Sequence, residues 1–217
     1  QCEVVFTVIT SSADVEAVAL GAHGLIEGMA PGSVLVDCST IAPDVARHIA
    51  AQLGEKGIAM LDAPVSGTKA PAENAQILVM ASGCRERSHA AQQVFDAISR
   101  GTQWYGEAGS SQKMKLVINA WLIAMMQGVA ESMQLAKQFG FTPNQLWETL
   151  EGGPLAAPYV KGKLEMIRRD DYTPQMQLQH ALKDARLALA NAPEGTMPVM
   201  DSITHLWEQA AENGLAE

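Results

Sequence analysis

The stretch Tyr105–Phe139, YGEAGSSQKMKLVINAWLIAMMQGVAESMQLAKQF, constrains the fold more than any other part of the chain. A glycine-bearing loop opens it, and an unusually long helical pattern follows. Met114, Leu116, Val117, Ile118, Trp121, Leu122, Ile123, Met125 and Met126 put apolar surface all round the helix, which predicts that it is mostly buried. Its most apolar part, Leu116 to Ala130, is too short to cross a bilayer and carries Asn119 and Gln127, so a core helix is expected. Everything before this stretch reads as alternating strand and helix, and everything after it as helix.

In chain order, Cys2 to Ile9 is rich in β-branched and apolar residues and predicts a buried strand. A short helix is expected over Asp14 to Leu20, with Ser12 or Asp14 able to cap it, then a Pro31-Gly32 turn and a strand over Val34 to Asp37. The loop DCSTIAP leads into a helix over Pro43 to Lys56, stopped by Gly57. Strands follow at Ile58 to Asp62 and Ile77 to Ala81, a helix at Arg87 to Ser99, and a short strand at Thr102 to Tyr105. Past the long helix, Thr142 to Glu151, Pro158 to Arg168, Pro174 to Ala192 and Thr196 to Asn213 all read as helical. Alternating strands and helices imply crossover connections, hence an α/β fold with a mostly parallel sheet, at least over its first three strands. In such sheets ligands bind beyond the carboxyl ends of the strands, and Thr10, Thr40 and Ser66 lie just past such ends.

Charge narrows the partners. The 217 residues carry a formal net charge of -9, with a pI near 5.0, and no basic run. That argues against nucleic acid or an anionic membrane, since phosphate binding needs clustered Lys and Arg. Cys2, Cys38 and Cys84 are odd in number and far apart, without CxxC spacing, so neither a disulfide framework nor a zinc site is suggested and a reducing cytoplasm is expected. The N-terminal QCEVVFTVIT has no basic segment or small-residue cleavage site of a secretory signal, and the five histidines show no metal-binding spacing.

Lys115 and Asn119, four residues apart near the start of the long helix, project from one face one turn apart. A lysine on so apolar a helix is rarely buried without a partner or a job, because desolvation disfavours its charged form. That makes Lys115 a candidate general acid/base. One feature of a dinucleotide-binding half is missing: no GxGxxG turn follows a strand, and Gly21 and Gly24 do not sit between a strand and a helix in the required way.

Three separated motifs, DAPVSG at Asp62 to Gly67, GSSQKMKLVIN at Gly109 to Asn119 and LQHALKDARLAL at Leu178 to Leu189, resemble the β-hydroxyacid dehydrogenases. That family includes 3-hydroxyisobutyrate, tartronate semialdehyde and glyoxylate/succinic semialdehyde reductases, and the resemblance covers essentially the whole chain. It implies a partial doubly wound, Rossmann-like, mostly parallel sheet over 1–108, then a long interdomain helix and an all-α helical domain over 109–217. A family member would carry about 65 to 70 more residues at its N-terminus, at roughly 30 per βα unit, holding the GxGxxG turn.

By the same resemblance, Lys115 matches the catalytic lysine and Asn119 the amide that helps hold it and the substrate. Ser66 and Gly67 match residues that bind the substrate carboxylate, with Thr68 able to add a hydrogen bond where the family often has a second glycine. Ile9, Thr10 and Thr40 fall where strand-end loops touch the nicotinamide and its ribose, although the family commonly has proline at the position of Thr10. Lys183 and Asp184 match a pair that closes over the cofactor and the active site, at a junction between the two domains. The implied cofactor is NADP or NAD, with a preference for NADPH from the variant SGTKAPAE, which looks like the glyoxylate/succinic semialdehyde branch. A homodimer through the helical domain is implied too. Met176 and Ala75 stand where the family has an aromatic residue and a glycine, and Gly109-Ser110-Ser111 replaces a more glycine-rich turn. The competing readings are a non-catalytic remnant that only assembles through its helices, and an imine reductase, a group that usually lacks the lysine.

Overall fold

A computed structural model describes residues 2–216. The chain divides into two compact units, one ending at Ile118 and one beginning at Asn119. In the first, β1 (Val4–Thr7), α1 (Ser12–Leu20), β2 (Val34–Asp37), α3 (Pro43–Glu55) and β3 (Ala59–Asp62) alternate as expected, with a further short helix α2 (Leu25–Gly28) between α1 and β2. Ser11 rather than Ser12 or Asp14 caps α1, and β1, flanked on one side only, is mostly half-buried rather than buried. There follow β4 (Val65–Ser66), α4 (Lys69–Glu73), β5 (Ile77–Gly83), a 3-10 turn at Arg85–Arg87, α5 (His89–Ile98) and β6 (Ser99–Trp104). The strands form one sheet of order β1-β2-β3-β5-β4, with β6 beside β5. β1, β2 and β3 are parallel, each pair joined by helical crossovers. β5 runs antiparallel to β3 and to the two-residue β4, while β6 is parallel to β5. The alternation alone predicted neither β4 nor the antiparallel insertion, because α4 is a five-residue helix within a connection too short and polar to show periodicity.

Side chains of period two sort onto the two faces of the sheet. Leu35 and Met60 pack with Val15, Ile41, Ile49, Leu53 and Ile58 on one side. Val34, Val36 and Leu61 pack with Val79, Ala91 and Phe95 on the other, where Phe6 meets Phe95 edge-on with ring centroids 6.0 Å apart. All four residues of β2 are therefore buried, as in a central parallel strand. α3 starts on Pro43 and ends where Gly57 takes φ +72, which lets Ile58 N reach back to Leu53 O at 3.0 Å.

α6 (Ser110–Gln138) runs from the first unit into the second. Helices α7 (Pro143–Leu150), α8 (Pro158–Arg168), α9 (Leu178–Asn191) and α10 (Pro198–Ala210) follow, then a π turn at Ala211–Leu215. Thr142 and Gln145 form a reciprocal capping box before Pro143. α9 begins four residues later than expected: Asp171 accepts from Thr173 N, a local turn that competes with helix, and Gln177 is an extended N-cap. Ile123 packs with Ala185, Met200 and Ile203, and Val129, Met133 and Ala136 pack with Leu164, giving this unit two small cores.

The expectation of a mostly buried α6 is overturned. Only a narrow stripe, including Leu116, Asn119, Ile123, Val129, Met133 and Ala136, is buried, whereas Val117 and Trp121 are 63% and 69% exposed. Neighbouring helices can cover one stripe of a cylinder, and an all-round apolar pattern does not bring more neighbours. The expectation of a segment too short to cross a bilayer is overturned too. The 29-residue helix contains an 18-residue window of mean hydropathy 1.3, long and apolar enough to cross a membrane by those measures alone. Its polar Asn119 is nevertheless buried against another polar side chain of the helical unit.

Candidate active site

The carboxyl ends of β1, β2 and β3 finish in one row, with Thr7 opposite Asp37 and Asp37 opposite Asp62. Both aspartates are fully buried. Asp37 Oδ1 accepts from Thr7 Oγ1 at 2.8 Å, Ser39 Oγ at 2.6 Å and Ser39 N at 3.3 Å, while Oδ2 accepts from none of the described residues. Burial pushes the Asp37 carboxyl above its ordinary value, outweighing the hydrogen bonds that pull it down. The same burial, with Asp37 beside it, pushes the Cys38 thiol up to about 12. Ser39 Oγ also accepts from Ile9 N at 2.8 Å, so the loops holding Ile9 and Thr40 are tied together.

Gln112, in the first turn of α6, fastens that turn to the second loop: its Oε1 accepts from Ile41 N at 3.1 Å and its Nε2 donates to Ser39 O at 3.0 Å. One turn further, half-buried Lys115 donates from Nζ to Val65 O at 2.8 Å. Val65 immediately precedes Ser66. Gly67 takes φ +140, and a Cβ there would lie 2.9 Å from Ile77 Cγ2 and 3.1 Å from Pro71 Cβ, so only glycine fits the turn. Thr68 then opens α4 in an extended conformation without using its side chain as a cap.

The structure thus brings Ile9, Thr40, Ser66, Gly67, Thr68 and Lys115 to the strand-end side of one sheet, with Thr10 exposed in the first loop. Asn119, Lys183 and Asp184 belong to the helical unit. There Asn119 Nδ2 donates to Asp184 Oδ2 at 2.5 Å, and Lys183 Nζ lies 2.9 Å from Asp184 Oδ1. Asn119 and Asp184 are buried, and Lys183 is half-buried. Among the described residues no group of three His, Cys, Asp or Glu side chains could hold a metal.

Sequence reasoning missed Asp37, Asp62, Ser82, Ser111 and Gln112 as parts of this framework. The signal was present: VLVD and AMLD each end an apolar strand on an aspartate, a costly place for a carboxylate unless it is hydrogen-bonded.

The loops at the ends of β1 and β2 carry the hydroxyls of Thr10 and Thr40, uncharged groups of a chemistry that could hold a ribose or a carboxamide. Residues 1–106 match the family model described as the NAD binding domain of 6-phosphogluconate dehydrogenase. Residues 109–217 match that described as NAD-binding of NADP-dependent 3-hydroxyisobutyrate dehydrogenase. Glyoxylate/succinic semialdehyde reductase 1 of Arabidopsis thaliana is 28% identical over 219 residues, covering 100% of this chain and 76% of that protein. An uncharacterized oxidoreductase of Bacillus subtilis, YkwC, is 30% identical, covering 99% of this chain and 75% of the relative. Among solved structures, a 3-hydroxyisobutyrate dehydrogenase from Salmonella typhimurium superposes with a TM-score of 0.87 at 24% identity, covering 99% of this chain and 75% of its own.

Proposed function

This chain belongs to the NAD(P)-dependent β-hydroxyacid dehydrogenase family, and from that premise we propose that it reduces a small semialdehyde or α-keto-type aldehyde such as glyoxylate, or oxidises the matching hydroxy acid, with Lys115 as general acid/base. The observation that carries this reading is the 2.8 Å bond from Lys115 Nζ to Val65 O, which holds a cation against the segment that leads into Ser66 and Gly67.

Bound nicotinamide supplies or accepts the hydride. Lys115, as an ammonium, donates a proton to the alkoxide that develops during reduction, and its charge stabilises that oxygen as it becomes negative. In the oxidative direction, neutral Lys115 takes the hydroxyl proton. The Ser66 hydroxyl and the N–H groups of Gly67 and Thr68 bind the substrate carboxylate, fixing the reacting carbon relative to Lys115. Asn119 and Asp184 contribute to substrate binding. Ile9, Thr10, Thr40 and Lys183 contribute to the cofactor, with NADPH preferred over NADH.

The site is tested by turnover of glyoxylate and succinic semialdehyde with each nucleotide. Lys115→Ala is expected to lose about 10²- to 10⁴-fold in kcat, the usual worth of a positioned acid/base. Turnover at the wild-type rate would sink the assignment of Lys115.

A homodimer in a reducing cytoplasm completes the proposal. Along α6 and just past its end, Val117, Trp121, Leu135, Phe139 and Phe141 are exposed, an apolar run that a second copy would cover. Sedimentation equilibrium at micromolar concentration tests it, with a single monomeric species as the opposing result.

A further inference from the structure

We propose that Asp62 is a positioning residue for Lys115: its buried carboxylate clamps the first turn of α6 and so sets where the Lys115 ammonium is held. This rests on the reading of Lys115 as the acid/base.

Asp62 ends β3 with no exposed surface. Gly109 N donates to both of its carboxylate oxygens at 3.1 Å. Ser111 Oγ lies 2.5 Å from Oδ2 and 2.9 Å from the Asp62 carbonyl oxygen, and Ser82 Oγ lies 2.8 Å from Oδ2. Ser82 Oγ in turn accepts from Ser111 N at 3.0 Å. One carboxylate therefore gathers the start of α6 and the adjoining strand β5. It does so at a helix N-terminus, where the first backbone N–H groups have no partner within the helix and need acceptors from outside it.

The turn is also held by the segment that follows β2. Gln112 binds the loop after β2. Beside it, where the same segment enters α3, Gly109 takes φ +87 and packs so closely that a Cβ would lie 2.6 Å from Pro43 O. A turn fastened at Gly109, Ser111 and Gln112 cannot rotate about the helix axis without breaking one of these contacts.

Lys115 stands four residues after Ser111, on the same helix face one turn along. Its Nζ returns to Val65 O, three residues beyond Asp62. The segment from Asp62 to Val65 thus holds the helix by its carboxylate and the ammonium by its carbonyl. No part of this arrangement makes Asp62 touch substrate; it acts through Lys115.

A double-mutant cycle of Asp62→Asn with Lys115→Ala tests the proposal through kcat, substrate KM, nucleotide Kd by fluorescence and thermal stability. Asp62→Asn is expected to lower kcat about 30- to 100-fold, the scale of a roughly 1 Å misplacement, with nucleotide Kd changed by less than about twofold. In the Lys115→Ala background the same change is expected to cost less than about twofold. Equal losses in both backgrounds would overturn the proposal, whereas wild-type turnover by Lys115→Ala alone would instead remove the acid/base reading beneath it.

A second readout needs no turnover. The Nζ signal of Lys115 in ¹⁵N-lysine NMR, identified by its loss in Lys115→Arg, is expected to shift in Asp62→Asn while those of Lys113 and Lys69 stay in place; an unmoved Lys115 signal refutes the clamp. If Asp62→Asn does not fold, Ser111→Ala removes one hydroxyl and keeps the Gly109 bond. It is read by the same cycle and the same signal, with about a fivefold loss of kcat expected and no loss overturning the proposal.

Discussion

Asn119 donates from Nδ2 to Asp184 Oδ2, joining α6 to α9 across 65 residues of chain, with both side chains buried. A buried carboxylate is tolerated because it has a donor here and the Lys183 ammonium 2.9 Å from its other oxygen. Replacing Asn119 by Leu keeps the volume and removes the donor. The expected cost is about 2 to 3 kcal/mol of the stability of the helical unit, the range for losing a hydrogen bond to a charged group. Urea denaturation followed by tryptophan fluorescence measures it, and an unchanged midpoint would contradict the role given to this bond.

Ala75 takes φ +53, a left-handed conformation that costs an alanine about 1 to 2 kcal/mol and a glycine almost nothing. It is also the position where the family resemblance leads one to expect glycine. Ala75→Gly relieves that strain but gives the unfolded chain about 0.4 to 1 kcal/mol of extra freedom, so the net gain is about 0.5 kcal/mol. A rise of about 1 to 2 °C in Tm is expected.

Asp37 has its folded-state pKa raised above the ordinary value of 3.8, chiefly by burial. Between those two pKa values the folded chain holds a proton that the unfolded chain has released, so this group's contribution to stability falls as pH rises through the window. Below the unfolded value the penalty is absent. Asp37→Asn keeps an oxygen for Thr7 and Ser39 and cannot ionise. Its stability relative to the parent is expected to improve as pH rises from about 4 towards neutrality, as followed by urea midpoints across that range.

The three thiols should separate by reactivity. Cys2 and Cys84 are exposed, whereas Cys38 is partly buried with its thiol pushed up to about 12. Because the thiolate is the reacting form, a thiol-disulfide reagent at pH 8 should titrate two groups quickly in the native protein and the third only on unfolding. Cys84 is expected to be the slower of the two, since burial and its hydrogen bond to Glu86 raise its pKa.

Most element positions were legible before the fold was known. The β-branched runs VVFT and VLVD are strands, and Pro43, Pro143 and Pro158 each open a helix at its first turn. These are local preferences, written in φ restrictions and side-chain shape, and tertiary packing had no cause to override them. The motifs holding Lys115, Ser66 and Gly67 were visible in the sequence, and the bond from Lys115 Nζ to Val65 O, which links two of them, was not.

What the chain order could not carry was pairing and burial. The antiparallel β5 is set by its placement between β3 and β4, and no residue of ILVMASG encodes that choice. The exposure of Val117 and Trp121 depends on how many neighbours α6 has, which its own periodicity does not count. By itself, the sequence determined the alternation of strands and helices, the glycine turns and the presence of an unusual lysine on a long helix. Only the tertiary structure decided that Asp62 grips the start of that helix and that Asn119 meets Asp184, because hydrogen bonds between distant residues exist only once packing has removed the competing water.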